Sequence, residues 1–164
     1  MIVLGIDPGS AICGFGFIHF PNLIPISYGV ITTSPKARMH DRLLKIHTDL
    51  DALIKKFQPQ VMGLEKLFFG KNATTGIPVA QARGVVLLSA AQNNLDVIEI
   101  TPNEVKQSIT GYGGADKAQV IYMVTNILHL AEPPTPDDAA DALAIAVAAG
   151  YEANSLAHRN SLES

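Results

Sequence analysis

The first ten residues contain the feature that most constrains the fold. An apolar run at residues 2–6 is followed directly by Asp7, Pro8 and Gly9. Such a run is typical of a strand buried on both faces, and Pro-Gly ends a strand in a turn. Asp7 is therefore predicted at the end of an interior strand. An aspartate at this point can also simply shape the turn, because its side chain bonds to the local backbone.

Three further carboxylates stand in similarly apolar surroundings. Glu65 follows the short apolar run 61–64, which is predicted to be a second interior strand. Asp138 and Asp141 are spaced i and i+3 in a predicted helix, so both lie on one face. Acids in a first helical turn often serve only as caps, but alanine, leucine and isoleucine surround Asp141 as in a core helix. These positions together suggest one assembled acidic site.

The chemistry of this donor set indicates which metal it suits. The four carboxylates offer only oxygen ligands, and the five histidines are scattered without ligand spacing. Oxygen-only sites favour Mg²⁺ or Mn²⁺ over Zn²⁺. A bound cation would also relieve the repulsion between Asp138 and Asp141.

Composition and net charge indicate the number of domains, the cellular location and the kind of partner to expect. The chain has 164 residues, 48% of them hydrophobic, which suits one domain at residues 1–153 with a polar, flexible tail at 154–164. Without a charged leader before an apolar core, or an apolar run long enough for a membrane span, we expect a cytoplasmic protein. Its single cysteine, Cys13, fits a reducing compartment. The net charge of −3 means that binding to nucleic acid would need a local basic patch.

The order of predicted elements defines an α/β fold. Three antiparallel strands come first, and they are followed by an amphipathic helix at 36–57 and the strand ending at Glu65. Next come a helix at 78–93, a strand at 96–100, and a short helix opened by the capping box of Thr101 and Glu104. Helices at 115–130 and 137–150 complete the chain. We therefore expect a mixed sheet, three antiparallel strands plus parallel strands, flanked by helices.

Two segments of this plan have unusual surfaces. The predicted helix at 78–93 is apolar around its whole circumference at 85–88, so we expect it to be buried on two sides. After Glu65, a loop carries Phe68, Phe69 and Lys71 among glycine and asparagine. Adjacent side chains at a strand end alternate in direction, so one ring is expected to pack inward and the other to face solvent.

Five motifs in register resemble the RuvC family of Holliday-junction resolvases. They are the start at 4–10, the Glu65 strand with Phe68 and Lys71, and the runs 81–84, 105–107 and 138–144. The resemblance implies a ribonuclease-H-like fold and a homodimer, whose interface we expect on the helix near 85–91. It implies Mg²⁺-dependent cutting of four-way DNA junctions by paired nicks in strands of like polarity, leaving 5′-phosphate and 3′-hydroxyl ends. Two Mg²⁺ per site, replaceable by Mn²⁺, and the branch-migration proteins RuvA and RuvB as partners are also implied.

The resemblance also assigns roles to individual residues. Its metal-binding catalytic tetrad is Asp7, Glu65, Asp138 and Asp141. Its DNA-binding positions are Phe68, Phe69, Lys71, Arg83, Lys106 and Lys117. Of the two rings, Phe68 is expected to stack on an unpaired base at the crossover, and Phe69 to anchor the loop. The sequence has Lys66 where the family pattern suggests glutamine, which adds a positive charge next to a metal ligand.

Two other functions remain open on the sequence. The Asp-Pro-Gly-Ser turn also resembles the phosphate-holding hairpin of sugar kinases and actin-like ATPases, but those proteins hold nucleotide between two such domains. A module that binds junctions without cutting them is the third possibility, and an intact carboxylate set gives it no support.

Overall fold

The computed structural model describes residues 1–66 and 73–162 of the chain. Within them, the strands are β1 (Ile2–Asp7), β2 (Ile12–His19), β3 (Ile24–Thr32), β4 (Val61–Glu65) and β5 (Asp96–Ile100). The helices are α1 (Met39–Phe57), α2 (Ala73–Gln92), α3 (Pro102–Thr110), α4 (Lys117–Ile127) and α5 (Asp137–Leu162). This order confirms the predicted α/β plan. None of the described helices is long and apolar enough to cross a membrane.

The strands form one mixed sheet in the order β3-β2-β1-β4-β5. β1, β2 and β3 pair antiparallel, whereas β1 pairs parallel with β4, and β4 with β5. In the β1 and β4 pair, Ile6 lies opposite Leu64. Asp7 and Glu65 are the next residues of the two strands, so both carboxylates lie at the same edge of the sheet.

The alternation of side chains along these strands decides which face the carboxylates take. Leu4 and Ile6 belong to the core between the sheet and helices α1 and α2. Val3, by contrast, belongs to the core formed with α3, α4 and α5. Because successive side chains point to opposite faces, Asp7 shares the α5 face with Val3, and Glu65 shares it with Val61.

Glycines in the sheet allow α5 to lie close to it. A Cβ atom at Gly5 would overlap the carbonyl oxygen of Ala142, and one at Gly14 would overlap that of Asp138. Gly14 also pairs with Asp7 in the sheet. The absence of a side chain at Gly14 therefore brings the first turn of α5 next to the end of β1, where Asp7 lies.

The bounds of several helices differ from the sequence-based expectation. The last helix, α5, continues through Leu162, into the predicted polar tail at 154–164. The flexibility of that tail stays a prediction. Gly150 was interpreted as the helix end; instead, a Cβ at this position would come within 2.8 Å of Cγ of Phe20, so close packing accounts for the glycine. The helix expected at 78–93 begins earlier, at Ala73, and contains Pro78.

Capping fixes the two helices that carry the candidate DNA-binding lysines. Thr101 and Glu104 form the predicted capping box at the start of α3. Asp116 and Gln119 form a second one at the start of α4, so that Lys117 is the first helical residue. Each box satisfies backbone N–H groups that a helix start leaves without partners.

Candidate active site

Three of the four predicted carboxylates line one cleft. Its volume is about 190 Å³, and its walls come from β1, β4, α3, α4 and α5. Asp7, Glu65 and Asp141 line it together with Lys106 and Lys117. Asp138 stands one turn before Asp141 on α5, and its charge acts on both Asp7 and Asp141. Residues far apart in sequence, from Asp7 to Asp141, are thus brought together.

Asp7 is the carboxylate of this cleft whose charged form is most strongly disfavoured. Burial is the main cause that raises its pKa to about 7, and the charges of Asp141, Glu65 and Asp138 raise it further. The ammonium group of Lys117 acts in the opposite direction. A carboxylate in this state gains from any cation that approaches it, because the cation replaces lost solvation and offsets the repulsion.

The pKa values of Glu65 and Asp141 are also raised by burial and by neighbouring acids. Burial, followed by the charge of Asp141, raises the pKa of Glu65, while Lys106 lowers it. Burial also raises the pKa of Asp141, although a hydrogen bond from Lys117 opposes this effect. The Nζ atom of Lys117 lies 3.0 Å from Oδ2 of Asp141, and this hydrogen bond raises the pKa of the lysine. Lys117 is therefore the cation closest to the acidic residues in the described structure of the cleft.

The donor set fits a hard divalent cation in its chemistry. Its carboxylate oxygens, partly buried and mutually repelling, are the ligands that Mg²⁺ takes from proteins. Within residues 1–66 and 73–162, however, no three acidic, histidine or cysteine side chains converge on one point as a ready-formed metal site. Oδ2 of Asp141 is instead paired with the ammonium group of Lys117.

Arg83 and Lys66 point away from the cleft lining. The side chain of Arg83 is 16% exposed and pairs with Glu99 at 2.8 Å, and its Nε donates to the carbonyl oxygen of Glu65 at 3.4 Å. Arg83 therefore supports the end of β4, and its predicted contact with DNA stays a prediction. Lys66 lines a separate cavity of about 520 Å³ with Glu99 and Glu104. The lysine in place of glutamine thus adds no cation to the cleft lining.

The remaining predicted DNA-binding residues cannot be placed in the same way. Phe68, Phe69 and Lys71 lie outside the described residues. Their predicted roles, including the choice between the two rings, stay predictions.

Two contacts were missed by the sequence reasoning. Oδ2 of Asp137 lies 3.4 Å from Nζ of Lys117. Its position four residues before Asp141, on the same helix face, was the available signal. The ion pair of Arg83 with Glu99 joins α2 to β5, and nothing in the local sequence indicates it.

The chain is similar to known proteins over most of its length. A family model described as Crossover junction endodeoxyribonuclease RuvC matches residues 3–149. The chain is 51% identical over 150 residues to the protein of that name from Caldicellulosiruptor saccharolyticus, covering 90% of each. It is 47% identical to that of Clostridioides difficile, covering 99% of this chain and 94% of that one.

Solved structures extend the agreement to the fold. Thermus thermophilus RuvC in complex with a Holliday junction substrate matches with a TM-score of 0.87 and 35% identity, over 93% of this chain and 94% of that one. The yeast mitochondrial Holliday junction resolvase Ydc2 matches with a TM-score of 0.67 and 16% identity, which supports the ribonuclease-H-like fold alone. Since the family model spans most of the chain and the relatives match along nearly their whole length, this chain belongs to the RuvC family of crossover junction endodeoxyribonucleases.

Proposed function

We propose that this chain is a structure-selective endonuclease that resolves Holliday junctions in DNA recombination and repair. Membership of the RuvC family supports the substrate, and one observation supports the chemistry: Asp7, Glu65 and Asp141 line a single cleft with two lysines. The reaction nicks two strands of like polarity and leaves 5′-phosphate and 3′-hydroxyl ends. The cytoplasm is its proposed location, and RuvA and RuvB are its proposed partners.

The tetrad of Asp7, Glu65, Asp138 and Asp141 would hold the divalent cations, Mg²⁺ or in its place Mn²⁺. Divalent cations held there would supply an activated water and stabilise the leaving 3′ oxygen. Asp7 would be the central member of this ligand set, because it lies at the end of the central strand and its charge interacts with those of all three other acids. Lys117 offsets charge on the phosphate from the rim of the cleft.

A nicking assay on a synthetic four-way junction tests this function. We expect symmetric nicks that depend on Mg²⁺, with little cutting of a linear duplex of the same sequence. A protein that binds the junction but never cuts it would support the non-cutting module. Binding of ATP without any nicking would support the kinase-like reading of the Asp-Pro-Gly-Ser turn.

A two-fold symmetric substrate calls for two sites, and we propose that α2 supplies the dimer interface. Exposed residues recur along α2 at spacings of four and three, as in a helix-to-helix seam. We call them the α2 stripe, which comprises Ile77, Gln81, Gly84, Leu88 and Ala91. A Cβ at Gly84 would meet nothing within 4 Å, so the middle of the stripe is open to close approach. Residues 1–153 would form the single nuclease domain of each subunit.

Leu88→Glu is expected to produce a folded monomer. Leu88 is 53% exposed, so a glutamate there disturbs the proposed seam and leaves the core intact. Light scattering should give half the mass of the unaltered protein, with an unchanged circular dichroism spectrum. Leu44→Glu on α1, where the leucine is 62% exposed, is the matched control and should stay dimeric. Val86→Glu is unsuitable, because Val86 is fully buried in the core. A dimeric Leu88→Glu protein would refute this interface.

The basic patch that a net acidic protein needs is proposed at Lys106 and Lys117. Lys106→Ala and Lys117→Ala should each weaken junction binding, and each should lower the slope of affinity against salt by about one. The controls are Lys45→Ala and Lys56→Ala, since both lysines lie on α1 and line a different cavity from the cleft. Binding is measured in Ca²⁺ to prevent turnover. An equal loss of junction affinity in all four variants would contradict the proposed patch.

A further inference from the structure

Lys117 contacts two carboxylates of α5 at once. Its Nζ lies 3.0 Å from Oδ2 of Asp141 and 3.4 Å from Oδ2 of Asp137. The acids are four residues apart on one helix, so they lie on the same face and one ammonium group reaches both. Asp137 is the first residue of α5, and Lys117 is the first residue of α4. The contact therefore joins the starts of the two helices beside the cleft.

The two acids differ in where they stand. The Asp141 side chain is 33% exposed and lines the cleft, whereas that of Asp137 is 59% exposed. The ammonium lies nearer to the inner acid than to the outer one. If a divalent cation engages Asp141, the attraction that draws Lys117 inward is lost, and the cation itself repels the ammonium. Asp137 is the remaining acid already in contact with the lysine among the described residues.

We propose that Asp137 is a positioning residue that holds Lys117 at the rim of the cleft when Asp141 binds a cation. The ammonium group then moves from its position between the two acids toward Asp137. There it remains within reach of a phosphate and does not compete with the cation for Asp141. This inference rests on the proposed function only in taking Asp141 as a cation ligand. Asp137 itself belongs to none of the catalytic or metal-binding residues proposed above.

A simpler role for Asp137 makes a different prediction. An acid in a first helical turn stabilises the helix through its dipole, and it attracts any cation nearby through its charge alone. Neither effect depends on Lys117. Only the positioning role makes the consequences of replacing Asp137 depend on whether the lysine is present.

A double-mutant cycle of Asp137→Asn and Lys117→Gln measures this dependence. The probe is Mn²⁺ alone, with free Mn²⁺ followed by electron paramagnetic resonance in the absence of DNA. Asp137→Asn should weaken Mn²⁺ binding about two- to fivefold more with Lys117 present than in the Lys117→Gln background, the range of an exposed ion pair. Asp137→Glu should restore the affinity. The same fold-change in both backgrounds, or none, would overturn the proposal.

Two controls separate this result from the proposed function. Asp41→Asn replaces another first-turn acid, which is paired with Arg38 away from the cleft, and should leave Mn²⁺ affinity unchanged. Asp141→Asn should weaken Mn²⁺ binding strongly; if it does not, the proposed metal site fails. At saturating Mn²⁺, Asp137→Asn should also lower the kcat for junction cutting about two- to fivefold, with no effect in the Lys117→Gln background. An equal loss of kcat in both backgrounds contradicts positioning through Lys117.

Discussion

Asp7→Asn is expected to abolish junction cutting while junction binding persists. The substitution keeps the shape of the side chain and removes the charge on which a cation depends. Replacing groups that merely orient metal ligands costs tenfold to a hundredfold, so loss of a ligand should lower kcat by at least about a hundredfold. The same result is expected for Glu65→Gln, Asp138→Asn and Asp141→Asn. Binding should be unchanged or tighter, because each variant lowers the negative charge that faces the phosphates.

Single-turnover cutting in Mg²⁺ and gel-shift binding in Ca²⁺ together test this expectation. Asp49→Asn is the matched control, since Asp49 forms an exposed ion pair with Lys45 on α1, outside the lining of the cleft. It should cut at the normal rate. Any one of the four variants that keeps near-normal turnover identifies a residue that is not a ligand. Loss of both cutting and binding would instead point to a damaged fold.

Local patterns in the sequence were sufficient to predict where Asp7 and Glu65 lie. Each ends an apolar run too short for a helix, and parallel pairing of β1 with β4 places both at one edge of the sheet. The alternation of side chains then directs both toward α5. The i and i+3 spacing of Asp138 and Asp141 likewise placed both on one helix face. These features depend on periodicity, which a single sequence records directly.

Contacts between elements that are far apart in the sequence have no such local pattern. Lys117 and Asp141 are 24 residues apart and meet only because α4 and α5 start side by side. The same holds for Arg83, a predicted DNA-binding residue, which pairs with Glu99 on β5. Gly150 was misinterpreted for a related reason: a glycine near a predicted helix end suggests a cap, while its actual cause is the ring of Phe20. Tertiary packing, which decides these cases, has no local signature.

The separation of buried from exposed residues on α2 is another such case. Residues 85–88 are all apolar, so periodicity alone could not tell which of them faces outward. In the structure Val86 is fully buried and Leu88 is 53% exposed. The distinction depends on how α2 lies against α1 and the sheet, and it makes Leu88, not Val86, the residue at which a charged substitution tests the proposed dimer.

The burial and repulsion that raise the pKa of Asp7 should also have a large effect on the free energy of unfolding of the metal-free protein. The pKa of Asp7 is about 7 in the folded protein, against a reference value of 3.8. Between these values the folded state keeps a proton that the unfolded chain has released, so stability falls as pH rises from about 4 to about 7. One pKa unit corresponds to about 1.4 kcal/mol, so the loss above pH 7 reaches about 4 kcal/mol as an upper estimate.

Asp7→Asn should therefore raise the Tm of the metal-free protein at pH 8, by roughly 5–10 °C for a chain of this size, with little change at pH 4. Calorimetry in EDTA measures both values. Asp51→Asn is the contrasting control: hydrogen bonds from Lys55 and Asn93 lower the pKa of this half-buried acid, so its replacement should not stabilise the protein at pH 8.

Added Mg²⁺ links this stability effect to the active site. A cation that binds only the folded state raises its stability, so the unaltered protein should gain in Tm at pH 8 when Mg²⁺ is added. The Asp7→Asn variant should gain much less, because it has already lost the repulsion and the ligand together. A variant less stable than the unaltered protein at pH 8 in EDTA would contradict the strain assigned to Asp7. An equal gain from Mg²⁺ in both proteins would instead show that the stabilising ion binds elsewhere.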